Sequence, residues 1–146
     1  MSLPFSFMRA LLALVIAAAP AAAQSLPVVQ LNAGMHLIRA EVAADFASRA
    51  QGLMYRSSMP SNVGMLFIFD EAAAQCMWMK NTLIPLSVAF IDEHGAVINI
   101  EDMAPQTEDS HCALKPARYA LEMNRGWFAA RGIKPGSRIG GIPGAK

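Results

Sequence analysis

The stretch Leu86-Ser87-Val88-Ala89-Phe90-Ile91-Asp92-Glu93-His94-Gly95-Ala96-Val97-Ile98-Asn99-Ile100-Glu101 decides the fold. Two apolar runs, Leu86 to Ile91 and Ala96 to Glu101, flank a short polar turn that ends in glycine. That is the pattern of a β-hairpin. Pro85 has no amide hydrogen to donate, so it marks the entry to the first run and not its middle. On the N-terminal side, Cys76 to Thr82 reads as extended chain or a loop at a sheet edge. Asp70 to Ala74 reads as a turn and Met65 to Phe69 as a strongly apolar strand. Ser57 to Gly64, with Pro60 and Asn62, is a loop.

Further out, Asp45 is placed to cap a short helix from Phe46 to about Met54, because its carboxylate can accept from the free amides of the first turn. Phe46, Arg49, Ala50 and Leu53 then share one helix face. Met35 to Ala43 alternates in the manner of a half-buried strand. Val28 to Leu31 is a candidate strand before the Asn32-Ala33-Gly34 turn. On the C-terminal side, Met103 to Lys115 reads as a long polar loop and Pro116 to Met123 as a strand. Trp127 to Arg131 makes one helical turn ended by Gly132. A last short strand falls near Ser137 to Ile139, and Gly140 to Lys146 reads as a flexible tail. Six or seven short strands with one or two short helices predict a mainly-β fold, a compact β-sandwich or barrel.

The first 23 residues have the layout of a secretory signal peptide. Arg9 supplies positive charge, Ala10 to Ala19 is apolar, and Ala21-Ala22-Ala23 before Gln24 is a small-residue cleavage site. The apolar run is shorter than the roughly 20 residues that cross a bilayer. Residues 24–146 are then a single domain, with no stable membrane insertion after cleavage and a periplasmic destination, or alternatively an extracellular one. The chain has 12 basic and 11 acidic residues. Arg9 is the one charged residue of the leader, so the remaining chain is formally neutral. A nucleic-acid partner would need a basic surface to neutralise phosphates, so that class is set aside.

Two cysteines, Cys76 and Cys112, are an even count, which in an oxidising compartment predicts a disulfide. The functional alternative is a catalytic thiol with His111 or another histidine as base. Adjacent side chains diverge, which counts against a Cys112–His111 couple.

Trp78, Lys80, Asn81 and Thr82 put an aromatic, a cation, an amide and a hydroxyl side by side. In extended chain Trp78, Lys80 and Thr82 point one way and Asn81 the other. Lys80 can lie over Trp78 as a cation–π pair. These residues form either a structural corner or a recognition surface for an anionic or carbonyl-bearing group, with Arg56 adding charge. Glu122 interrupts the apolar strand Tyr119-Ala120-Leu121-Glu122-Met123. It is expected either on the solvent face or paired with Arg56 or Lys80. Methionines 54, 59, 65, 77 and 79 with the three histidines offer soft ligands for Cu(I), although methionine also fills cores. The usual motifs for zinc, nucleotide phosphates or a hydrolase elbow do not occur, so no metal or cofactor is assigned.

Several of these segments together resemble domain of unknown function family 192. They are Gly52-Leu53-Met54-Tyr55-Arg56, Gly64-Met65-Leu66-Phe67, Trp78-Met79-Lys80-Asn81-Thr82 with Ile84-Pro85-Leu86, Phe90-Ile91-Asp92, Tyr119-Ala120-Leu121-Glu122 and Gly132-Ile133-Lys134-Pro135-Gly136. They follow one another in the family's order. The resemblance implies the same mainly-β fold. Family members usually carry Asp where this chain has Ser87. A catalytic or metal-binding role at that position would be lost here, whereas a structural hydrogen bond would tolerate serine. The leading expectation is an exported module that binds a small molecule or peptide through Arg56, Trp78, Lys80, Asn81, Thr82 and Glu122. The alternatives are an enzyme with Lys80 or Glu122 in proton transfer, and a structural or interaction domain.

Overall fold

The computed structural model describes residues 25–146, and the expected leader with its cleavage point lies outside them. Among the described residues the chain is mainly β, with strands β1 (Val28–Ala33), β2 (His36–Ala43), β3 (Val63–Ala73), β4 (Cys76–Met77), β5 (Leu86–Ile91), β6 (Val97–Met103), β7 (His111–Cys112), β8 (Ala117–Asn124) and β9 (Ile139–Gly140). Two short helices, α1 (Phe46–Gln51) and α2 (Trp127–Ala130), interrupt them. Seven strands form one sheet in the order β6-β5-β8-β3-β2-β1-β9, and β4 and β7 pair separately.

The sheet curls into a half-barrel whose edges meet at one end. Ala96, just before β6, bridges Arg138, just before β9. The amide of Val97 donates to the Ser137 carbonyl at 2.8 Å and that of Ile139 to Gly95 at 2.9 Å. The predicted hairpin is present: β5 and β6 pair antiparallel. The Asp92 carboxylate closes their turn by accepting from the amides of His94 and Ala96, both at 2.9 Å.

Period-two alternation gives the sheet two apolar faces. Leu66, Ala89, Ile91, Leu121 and Met123 point into the curl, joined by Trp127 and Phe128 of α2. Met65, Phe67, Val88, Phe90 and Ala120 point outward, under a cover that includes Leu53, Met59, Met79 and Ile84. Parallel pairing of β2 with β3 requires a crossover connection, and that crossover carries α1. Leu53, just beyond the helix, packs on the outer layer.

Several boundaries differ from those expected. Asp45 does cap α1, accepting from the Ser48 amide at 2.8 Å. The helix nevertheless ends at Gln51, because Gly52 takes a positive φ of 49°. β3 runs past Phe69 through Asp70 and Glu71, with a register shift between Ile68 and Ala73. The loop expected over Met103–Lys115 contains β7, whose two residues lie opposite β4. The 140–146 segment is packed and not a free tail: Ile142 is buried, Tyr119 donates its hydroxyl to the Pro143 carbonyl, and the Lys146 amide donates to Glu93 at 3.0 Å.

Candidate functional site

The outer face of the sheet holds a cleft of about 400 Å³. Phe46, Arg49, Ala50 and Leu53 form one wall, and Phe69, Asp70 and Glu71 of β3 form another. Cys76, Met77 and Trp78 form a third, while Thr82 and Glu122 also line the cleft. The β4–β7 pair fixes the third wall. Cys76 and Cys112 are directly opposite each other and joined by a disulfide, which removes the catalytic-thiol alternative. His111, its imagined base, instead holds Glu101 through Nδ1 at 2.8 Å. The buried Asn99 side chain clamps β7 from below, donating to the Cys112 carbonyl at 3.2 Å and accepting from the Leu114 amide at 3.0 Å.

Glu122 is the unusual group. It sits mid-strand in β8, opposite Met65 of β3 and Val88 of β5, and only 3% of it is exposed. Burial alone pushes its carboxyl up from 4.5 to about 8, with no hydrogen bond or neighbouring charge contributing. The expected pairing with Arg56 or Lys80 does not occur. Arg56 forms a forked pair with Glu41, with Nη2 at 3.0 Å from Oε1. Lys80 places its Nζ 5.2 Å from the centroid of the Trp78 ring.

Of the six expected ligand residues, Trp78, Thr82 and Glu122 therefore share the cleft, whereas Arg56, Lys80 and Asn81 lie outside its walls. Asn81 makes the turn between Trp78 and Thr82, at a φ of 53°, and its carbonyl accepts from the Tyr55 amide at 2.9 Å. Thr82 donates its hydroxyl to the Lys80 carbonyl at 3.1 Å. The methionines that offered soft ligands as a minor alternative are largely packing groups, since Met59, Met65 and Met79 are buried in the outer apolar layer. Sequence reasoning missed Phe46, Arg49, Phe69, Asp70 and Glu71 as site residues. One signal existed: the shared face of Phe46, Arg49, Ala50 and Leu53 is a cleft wall and not a sealed core face, and Phe46 is 83% exposed. Arg49 is fully engaged, donating to the carbonyls of Ala44 at 2.6 Å and Ile68 at 3.0 Å and to Asp70 at 3.3 Å.

Ser87 lies away from this cleft. It donates to Asp102 Oδ1 at 2.6 Å and accepts from the Gly126 amide at 3.0 Å. Its part is structural.

A curled, mainly-β sheet with one covered outer face and a cleft under that cover defines a small β domain. The chain belongs to the DUF192 family, described as an uncharacterized ACR, whose profile matches residues 28–141. No match is found among curated proteins. A solved structure of a candidate transcription regulator from Sinorhizobium meliloti 1021 is similar at 37% identity with a TM-score of 0.77, covering 82% of this chain and 98% of that one. A protein of unknown function from Novosphingobium aromaticivorans DSM 12444 is similar at 33% identity with a TM-score of 0.73, covering 84% and 90%.

Proposed function

We propose that this chain is an exported binding module whose cleft takes a small molecule or a single side chain of a peptide. The observation that carries the reading is Glu122, a buried carboxyl without a partner on the wall of an open cleft lined by both polar and apolar groups. Burying such a group costs free energy that packing does not return, and perturbed carboxyls in clefts cluster at functional sites. Trp78, 48% exposed, offers an aromatic face at the same opening. Export is supported by the leader layout and by a disulfide of the kind that persists outside the cytosol.

The regulator description of the Sinorhizobium protein does not transfer well to this chain. The formal net charge is only +1, and among the described residues the helices have six and four residues. Neither supplies a basic face or a groove-reading helix. A second reading, proton transfer at Glu122, is favoured by a carboxyl titrating near 8. It predicts a compound that Glu122→Gln still binds but no longer turns over.

The test is an isotope-edited NMR titration of the oxidised protein with a mixture of small apolar and polar fragments. Shifts should concentrate on Phe46, Leu53, Trp78 and Thr82 and disappear in an Ala50→Trp variant, whose exposed wall position lets the added ring fill the cleft. Shifts scattered over the surface would overturn the reading.

A further inference from the structure

We propose that the cleft receives an aliphatic ammonium group, with its nitrogen on the Glu122 carboxylate and its chain against Phe46, Phe69 and Trp78. This rests on the binding-module reading and names the ligand class for it. It also reverses the polarity expected from the sequence, in which Lys80 and Arg56 would have met an anion.

Three observations carry it. Glu122 lines the cleft and, among the described residues, lacks both a hydrogen-bonding and a charged neighbour. Among the described residues the cleft wall holds one cation, Arg49, whose guanidinium is already taken by two carbonyls and Asp70. The remaining charged wall residues are Asp70 and Glu71, both acidic and exposed. A carboxylate ligand would therefore meet acidic groups on the walls and no free guanidinium there, the Lys80 ammonium lying outside the walls over the Trp78 ring. An ammonium ligand would supply the partner that lets Glu122 ionise as half of an ion pair, while its carbon chain covers the aromatic walls.

The proton balance follows from the surroundings of Glu122. Its strand neighbours Met65 and Val88 are uncharged. Glu101, one strand beyond Val88, is held by His111. Cys76 is in the disulfide, Lys80 lies over Trp78, and Arg49, Asp70 and Glu71 are the charged groups of the walls. Free Glu122 titrates near 8, so at neutral pH it must lose a proton when the ammonium arrives. Apparent affinity scales with the ionised fraction, which gives about a tenfold gain from pH 7 to pH 9 while the alkylamine itself stays protonated.

Calorimetric titration of the full oxidised chain with n-hexylamine, n-hexanol and hexanoate tests this. Hexylamine should bind best, tighten about tenfold between pH 7 and pH 9, and release close to one proton at pH 7. Glu122→Gln, neutral and nearly isosteric, should weaken hexylamine binding and abolish both the pH dependence and the proton release. An Nα-acetyl-lysine N-methylamide arm, whose side-chain ammonium is free, distinguishes a protein side chain from a free amine as the source: tighter binding than hexylamine assigns a lysine side chain, weaker binding a free amine. If hexanol or hexanoate binds as well as hexylamine, or hexylamine affinity is flat with pH, the ammonium assignment falls while the binding module stands. If no probe binds at either pH, both fall.

Discussion

At the scale of single residues, Glu122 couples stability to pH with an unusual sign. Its carboxyl is raised from 4.5 to about 8 in the folded protein, so the folded state holds a proton that the unfolded state releases. The part of the stability that Glu122 contributes is therefore fully present below about pH 4.5 and declines up to about pH 8, by roughly 1.4 kcal/mol per pH unit. Urea midpoints of the protein and of Glu122→Gln should show this slope in the former and lose it in the latter. The sequence marked Glu122 as an interruption in an apolar strand. Its lack of a partner was only half legible: the Lys80–Trp78 contact is local and readable, whereas Arg56 is taken by Glu41 of β2, a choice that depends on contacts remote in sequence. Ser87 was legible in the other direction. It is 1% exposed and bonded to Asp102 and the Gly126 amide. Ser87→Asp would bring two carboxylates together and should cost about 2–4 kcal/mol in thermal melts, and adding Asp102→Ser should recover much of it.

At the scale of elements, the strands with long apolar runs were readable and the short ones were not. β5, β6 and β8 carry enough alternating or continuous apolar residues to announce themselves. β7 has two residues, and what makes it a strand is pairing with β4 and the Cys76–Cys112 bond, neither of which leaves a local pattern. The walls Phe69 to Glu71 were hidden for a related reason: polar Asp70 and Glu71 read as a turn, yet they continue β3. The disulfide spans 36 residues, and closing such a loop is worth ~4 kcal/mol by chain entropy. Cys76→Ser with Cys112→Ser should lower the urea-unfolding free energy by about that amount. Gly64 makes a second element-level demand. A Cβ there would collide with the Glu122 carbonyl and the Met123 sulfur, where β2, β3 and β8 run side by side. Gly64→Ala should destabilise by about 2–4 kcal/mol in the same assay, since the backbone of a central strand cannot move aside alone.

At the scale of the molecule, the sheet separates two jobs. Its inner face, closed by the Ala96–Arg138 bridge and filled by Tyr119, Trp127, Phe128 and Ile142, holds the half-barrel together. Its outer face, under α1 and the β4–β7 pair, holds the cleft. Deleting residues 142–146 tests that separation. The deletion removes the buried Ile142 side chain, the Tyr119 hydroxyl bond to Pro143 and the Lys146 contacts with Glu93. None of these residues lines the cleft. Loss of one buried isoleucine and one hydrogen bond should cost about 2–4 kcal/mol, or roughly 10 °C in melting temperature for a domain of this size. Fragment shifts at Trp78 and Thr82, measured well below the lowered melting temperature, should be unchanged. If they were lost while the truncated chain remained folded, the two faces would be coupled through the sheet, and the cleft could not be treated as a site independent of the closure.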